Sequence, residues 1–128
     1  MEKRLSDRYI IADVSQNNMR DDSIFIEFEA GETIRGDATN VCQKGIGFEI
    51  KGLSRNKIDE IIETEELFLK LFSGNEFIFA GVRIIWNLVT ESDGTSVFKG
   101  GTRINVISPE DNLKLSGFVK KIRSSISV

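Results

Sequence analysis

Apolar and polar positions alternate with period two through most of the chain from residue 24 onward. Ile24, Ile26 and Phe28 share one face of Ile24-Phe25-Ile26-Glu27-Phe28-Glu29, a strand signature. Ala30-Gly31-Glu32 reads as a turn, and Thr33 to Thr39 as the returning strand of a hairpin. Asn40-Val41-Cys42-Gln43-Lys44-Gly45-Ile46-Gly47 then reads as a turn leading into a further strand, Phe48-Glu49-Ile50-Lys51. Leu53 to Glu63 changes period: Ser54 can cap, and Ile58, Ile61 and Ile62 fall at helical spacing. Strand character resumes at Glu66 to Phe72, and Ser73-Gly74-Asn75 turns into a long apolar strand from Glu76 to Val89. Ser92-Asp93-Gly94 is a hairpin turn, returning through Thr95 to Ile107, where Gly100-Gly101 suggests a bulge or bend.

The tail is helical over 108–126. Ser108 suits the N-cap, Pro109 the first helical position and Asp111 a capping carboxylate. Leu115, Phe118, Val119, Ile122 and Ile126 form one apolar stripe. About six strands in hairpin-like succession, one short helical interruption and a final helix predict an antiparallel sandwich or small barrel, with the helix over an edge or mouth.

Composition narrows the function. At 128 residues with 40% hydrophobic and 29% charged residues, the chain is expected to be a single soluble domain with a core of its own. A net charge of −3 argues against a DNA- or RNA-coating surface, so any bound anion must meet a local basic cluster. No apolar run approaches bilayer length, so no membrane insertion is expected. The single cysteine makes no internal disulfide, which with the absence of a signal-peptide pattern points to the cytoplasm. There is no histidine, which excludes Ser-His-Asp and Cys-His catalysis and imidazole-bound zinc. No cofactor motif is present, and the acidic run from Asp59 to Glu66 reads as a solvated face. The composition gives no support to an enzyme.

Two short patterns carry the candidate chemistry. Arg4-Leu5-Ser6-Asp7-Arg8 has the form RxxxR, and Asn40-Val41-Cys42-Gln43-Lys44-Gly45 nearly has the form (D/N)xSxxG. In this order, in a small β-rich chain, they resemble the PilZ family. Gly81-Val82-Arg83-Ile84-Ile85-Trp86 and Gly101-Thr102-Arg103-Ile104-Asn105, followed by Ser108-Pro109-Glu110, are similar to that family's later strands and its entry to the terminal helix. The resemblance implies one PilZ-like domain over 1–128, a mainly β chain folded as a six-stranded antiparallel barrel with a C-terminal helix and a short helical insertion. It also implies a receptor for the bacterial second messenger cyclic di-GMP (c-di-GMP). On that likeness, Arg4 and Arg8 of a flexible arm (1–8) grip phosphate and guanine, and Asn40, Cys42 and Gly45 supply contacts from the barrel surface. Cys42 stands where the family has serine. Motility, adhesion or exopolysaccharide control through a protein partner is the implied output; a nucleotide-free adaptor binding its partner through the barrel or the helix is the other reading. Trp86 is expected in the core or at a barrel end rather than as a stacking platform.

Overall fold

The computed structural model describes residues 24–126. They form six strands and two helices: β1 (Ile24–Glu29), β2 (Thr33–Cys42), β3 (Gly45–Lys51), α1 (Arg55–Glu63), β4 (Leu67–Ser73), β5 (Glu76–Ser92), β6 (Thr95–Ile107) and α2 (Pro109–Ile126). The strands close a barrel in the order β1-β2-β3-β6-β5-β4, each pair antiparallel. The expected barrel, helical insertion and C-terminal helix are all present.

The period-two pattern becomes the inside and outside of that barrel. Ile26, Phe28, Ile46, Phe48, Leu69, Leu71 and Phe98 are buried, with Phe48 set edge-on to both Phe28 and Phe98. Ile58 and Ile61 bring α1 into this core, and Leu115, Phe118 and Val119 bring α2 into it. Burying a large aliphatic or aromatic side chain contributes roughly 1.5–3 kcal/mol, so the ring of core residues is the main stabilising term.

Local chemistry fixes the ends. Ser54 Oγ accepts from Lys57 N at 3.2 Å to cap α1. Lys57 then bridges Glu60 on its own helix (2.8 Å) and Glu32 of the β1–β2 turn (3.1 Å). Those hydrogen bonds, Glu60 first, hold its ammonium pKa above the ordinary lysine value. Ser108 caps α2 as expected: its Oγ accepts from Asp111 N at 3.0 Å and donates to Asp111 Oδ2 at 3.2 Å. At the β5–β6 turn Asp93 (φ 54°) and Gly94 (φ 78°) both take left-handed conformations, as a two-residue hairpin turn of the primed type requires.

The glycine-bearing segment differs from its sequence reading. Residues 40–42 and 45–47 are paired strand, and only Gln43 and Lys44 form the turn. Gly100-Gly101 is no bulge either: the extra residue near it lies on β5, at Ile85. Among the described residues no helix is long and apolar enough to cross a membrane.

Candidate functional site

Four strands, β2, β3, β6 and β5, lie side by side, and their register sets outward-facing residues in rows. Asn40 pairs with Gly47, Gly47 with Gly101, and Gly101 with Trp86. Two residues along, Cys42 pairs with Gly45, Gly45 with Arg103, and Arg103 with Arg83. Paired positions of a ladder present their side chains on one face. The first row is therefore an amide and an indole separated by two glycines, spanning roughly 14 Å at about 4.8 Å per strand. The second row holds a thiol, a glycine and two guanidinium groups.

Both ends of the first row owe their orientation to bulges. In β2 the interior face runs through Ile34, Gly36 and Ala38, so strict alternation would turn residue 40 inward. An extra residue, Thr39, between Ala38 and Asn40 reverses the phase. In β5 the extra residue Ile85 between Ile84 and Trp86 does the same. A bulge re-aims the side chains that follow it. Trp86 is consequently 46% exposed, on the outer wall and not in the core.

The glycines between are filled from either side. A Cβ on Gly47 would stand 2.8 Å from Asn40 Nδ2 and 2.6 Å from Thr39 Oγ1, so the Asn40 carboxamide lies over that residue. A Cβ on Gly101 would collide with the Trp86 indole, which lies over the second glycine. Gly45 has a different neighbour: its missing side chain leaves room for the Thr102 carbonyl of β6. Backbone approach between strands, before any contact with a ligand, is what requires glycine there. Thr102 reinforces the same junction, donating from Oγ1 to Ile46 O (2.8 Å) while accepting from Ile46 N (3.3 Å). Ile104 N donates to Lys44 O at 2.8 Å, fixing the turn beside it.

Charge is concentrated in the second row. Arg83 and Arg103 are exposed and directly opposite, an arrangement that is unfavourable for like charges unless an anion joins them. Neither is in an ion pair among the described residues. Lys44 is exposed on the adjoining turn. Two guanidinium groups so placed can take phosphate oxygens bidentately, and an exposed indole offers a stacking plane.

The structure thus brings Asn40, Cys42 and Gly45 together on one face. Cys42 is a half-buried free thiol at the end of β2. Arg4 and Arg8 lie outside the described residues. Trp86, Arg83 and Arg103 join the face through strand pairing, which no spacing along the chain reveals. Among the described residues no cluster of histidine, cysteine or carboxylate side chains is fit to hold a metal.

One further contact leaves the site. Gln43 Nε2, in the turn, donates to Asn112 Oδ1 at 3.0 Å and lies 3.5 Å from the Asn112 carbonyl oxygen, tying the hairpin to the first turns of α2.

No protein-family profile matches the sequence, and no curated protein matches it. Solved structures do. PlzA of Borreliella burgdorferi, solved in complex with c-di-GMP, has a TM-score of 0.61 at 11% identity over 88% of this chain and 50% of its own. The Bacillus subtilis inhibitor of motility, MotI/DgrA, has a TM-score of 0.59 at 17% identity over 78% of this chain and 46% of its own. MrkH of K. pneumonia in its apo state has a TM-score of 0.63 at 10% identity over 82% of this chain and 48% of its own. The chain therefore spans about half the length of the solved proteins it matches. With six antiparallel strands closed into a barrel, a helical insertion after β3 and a terminal helix, the chain has the fold of these PilZ-type proteins.

Proposed function

We propose that the chain is a non-enzymatic receptor domain for c-di-GMP. The observation that carries this reading is the pair of rows on one outer wall. Asn40 and Trp86 flank two glycines, Arg83 and Arg103 stand beside them with no ion-pair partner among the described residues, and the (D/N)xSxxG-like segment lies in the same place. The ligand has two phosphodiester charges and two guanines whose O6/N7 edges accept hydrogen bonds. Arginine matches both features, forking onto phosphate oxygens and onto the O6/N7 edge. The Asn40 amide donates and accepts at a base edge, and the indole takes a purine face. Arg4 and Arg8 close on the ligand from the N-terminal side. The PlzA complex supports the choice of ligand, since that protein shares the fold and holds this nucleotide.

Receptor output is exerted on another protein, and occupancy reaches the partner surface through the turn and α2, which Gln43 and Asn112 join. Motility, adhesion and exopolysaccharide control are the processes the family likeness suggests. The deciding experiment is a calorimetric titration of the wild-type protein with c-di-GMP at moderate salt. Saturable heat, with NMR shift changes at Asn40, Trp86 and Arg103, is the expected result. Neither heat nor shift change at high ligand concentration would overturn the receptor reading and leave the adaptor.

The adaptor reading has one observation behind it, the thiol of Cys42 where a hydroxyl is expected. A thiol is a weaker donor and acceptor than a hydroxyl. The loss of such a bond amounts to roughly 0.5–1.5 kcal/mol, or about tenfold in affinity at most. Cys42→Ser is therefore expected to leave c-di-GMP affinity unchanged or to tighten it by up to about tenfold. A marked loss in the same calorimetric measurement would show that the thiol has a role of its own.

A further inference from the structure

Beyond the rows just described, the wall formed by β1, β4 and β5 carries a continuous apolar strip on its outer side. Phe25 pairs in register with Phe72 and Phe72 with Phe77; Phe79 follows, then Phe68, paired through Gly81 to Val106. Phe25 stacks on Phe72 with ring centroids 4.6 Å apart, Phe72 meets Phe77 at 5.5 Å, and Phe68 stacks on Phe79 at 5.3 Å. Even so, Phe68, Phe77 and Phe79 are 40%, 43% and 37% exposed, and Val106 67%. Single exposed apolar residues are ordinary, but this strip offers on the order of 400 Å² of apolar surface, a size that marks an interaction site. The barrel is closed, so its strands have no free edge and an occupant must lie face to face on them.

The middle row of this wall says what fits it. Its residues run Arg35, Glu27, Lys70 and Phe79 across β2, β1, β4 and β5. Glu27 makes no ion pair with either neighbour. The two cations lie over rings instead, Arg35 at 3.6 Å from the Phe25 centroid and Lys70 at 5.5 Å from that of Phe77. A uniformly acidic or basic partner would leave one sign of this row unmatched. Laid on itself in reverse order, the row is matched throughout. Arg35 falls on Phe79, Glu27 on Lys70, Lys70 on Glu27 and Phe79 on Arg35, giving two ion pairs and two cation–ring contacts. In the neighbouring row the same reversal sets Phe25 on Phe72. A two-fold axis along the strands, between β1 and β4, performs this reversal, and a two-fold interface uses one patch twice.

We infer that two copies of the chain pair through this wall as a symmetric dimer, Glu27 of each meeting Lys70 of the other. With the strip and the stems of Arg35 and Lys70, each copy buries on the order of 500 Å², the low end for specific interfaces, so the dimer is weak and reversible. The contact uses none of Asn40, Trp86, Arg83 and Arg103, so its failure and the failure of c-di-GMP binding are separate results.

Sedimentation velocity of the full chain from about 5 to 500 µM is the test, and a concentration-dependent shift from monomer to dimer is the expected result. Phe68→Ser with Phe79→Ser should weaken dimerisation at least about tenfold while circular dichroism shows an intact fold. Glu27→Lys and Lys70→Glu, each alone, set like charges across the two-fold axis and should stay monomeric. Mixed in equal amounts, these two variants regain both ion pairs and should form a heterodimer, which no effect within one chain can produce. A wild-type chain that is monomeric throughout overturns the proposal, whether the wall is kept by residues 9–14 of the same chain or for another protein. So does a dimer untouched by Phe68→Ser with Phe79→Ser, or a mixture of the charge variants that associates no better than either alone.

Discussion

Gly45→Ala is expected to cost the domain about 3 kcal/mol, enough to leave a small domain poorly folded at physiological temperature. The new methyl would be placed on the Thr102 carbonyl oxygen, with the carbonyl carbon 3.2 Å away. That obstacle is backbone, held by β3–β6 pairing, so it cannot turn aside as a side chain can. Relief would require the strands to part where Thr102 Oγ1 joins Ile46 and where Ile104 N meets Lys44 O. Overpacking alone costs roughly 1–3 kcal/mol, and each displaced hydrogen bond adds about 1 kcal/mol. Chemical denaturation measures the sum. A midpoint equal to wild type would mean that the β3–β6 junction is more compliant than this packing implies. At Gly101 the same substitution meets the Trp86 indole, a side chain on the open surface that can rotate, and the cost there is smaller.

Replacing both arginines of the N-terminal motif, Arg4→Ala with Arg8→Ala, is expected to produce the largest change in ligand affinity. Each charged hydrogen-bonding group contributes roughly 1.5–3 kcal/mol, so losing two weakens c-di-GMP by about two to four orders of magnitude. Calorimetry reads this directly, with circular dichroism of the double variant checking that the fold is intact. Affinity equal to wild type would remove Arg4 and Arg8 from the site. The anion contacts would then fall to Arg83 and Arg103, which oppose each other across β5 and β6 with no ion pair among the described residues.

Much of the architecture was legible because its determinants are local. Ile24, Ile26 and Phe28 announce β1, Asp93-Gly94 announces the longest hairpin, and Ser108-Pro109 announces α2 within a residue. The site was legible only in part, because its determinants are pairings between strands distant in sequence. Gly47 and Gly101 become neighbours through β3–β6 pairing, a register that period-two patterning leaves open. Trp86 shows the limit most clearly. Counting by twos from Val82 and Ile84 places residue 86 inside the barrel, and the inserted Ile85 puts it outside. Asn40 was singled out as a candidate by its motif, yet the reason it faces outward, the bulge at Thr39, is invisible to spacing alone. Gly45 was also identified from its motif. Its structural requirement, close passage of β6, concerns a residue 57 positions further along the chain, Thr102.

The bond from Gln43 to Asn112 has a mechanical consequence. Helix α2 has 18 residues, hence a length of about 27 Å at roughly 1.5 Å per residue, and the bond grips it near its first end. Leu115, Phe118 and Val119 rest in the core near its middle and act as a fulcrum. A tilt of about 10° about that fulcrum carries Asn112 by about 1.4 Å and the far end of the helix by about 2.3 Å, at roughly 1.5 Å per residue. A displacement of the hairpin is thereby carried to the opposite end of the helix, in the reverse direction and enlarged by less than about twofold.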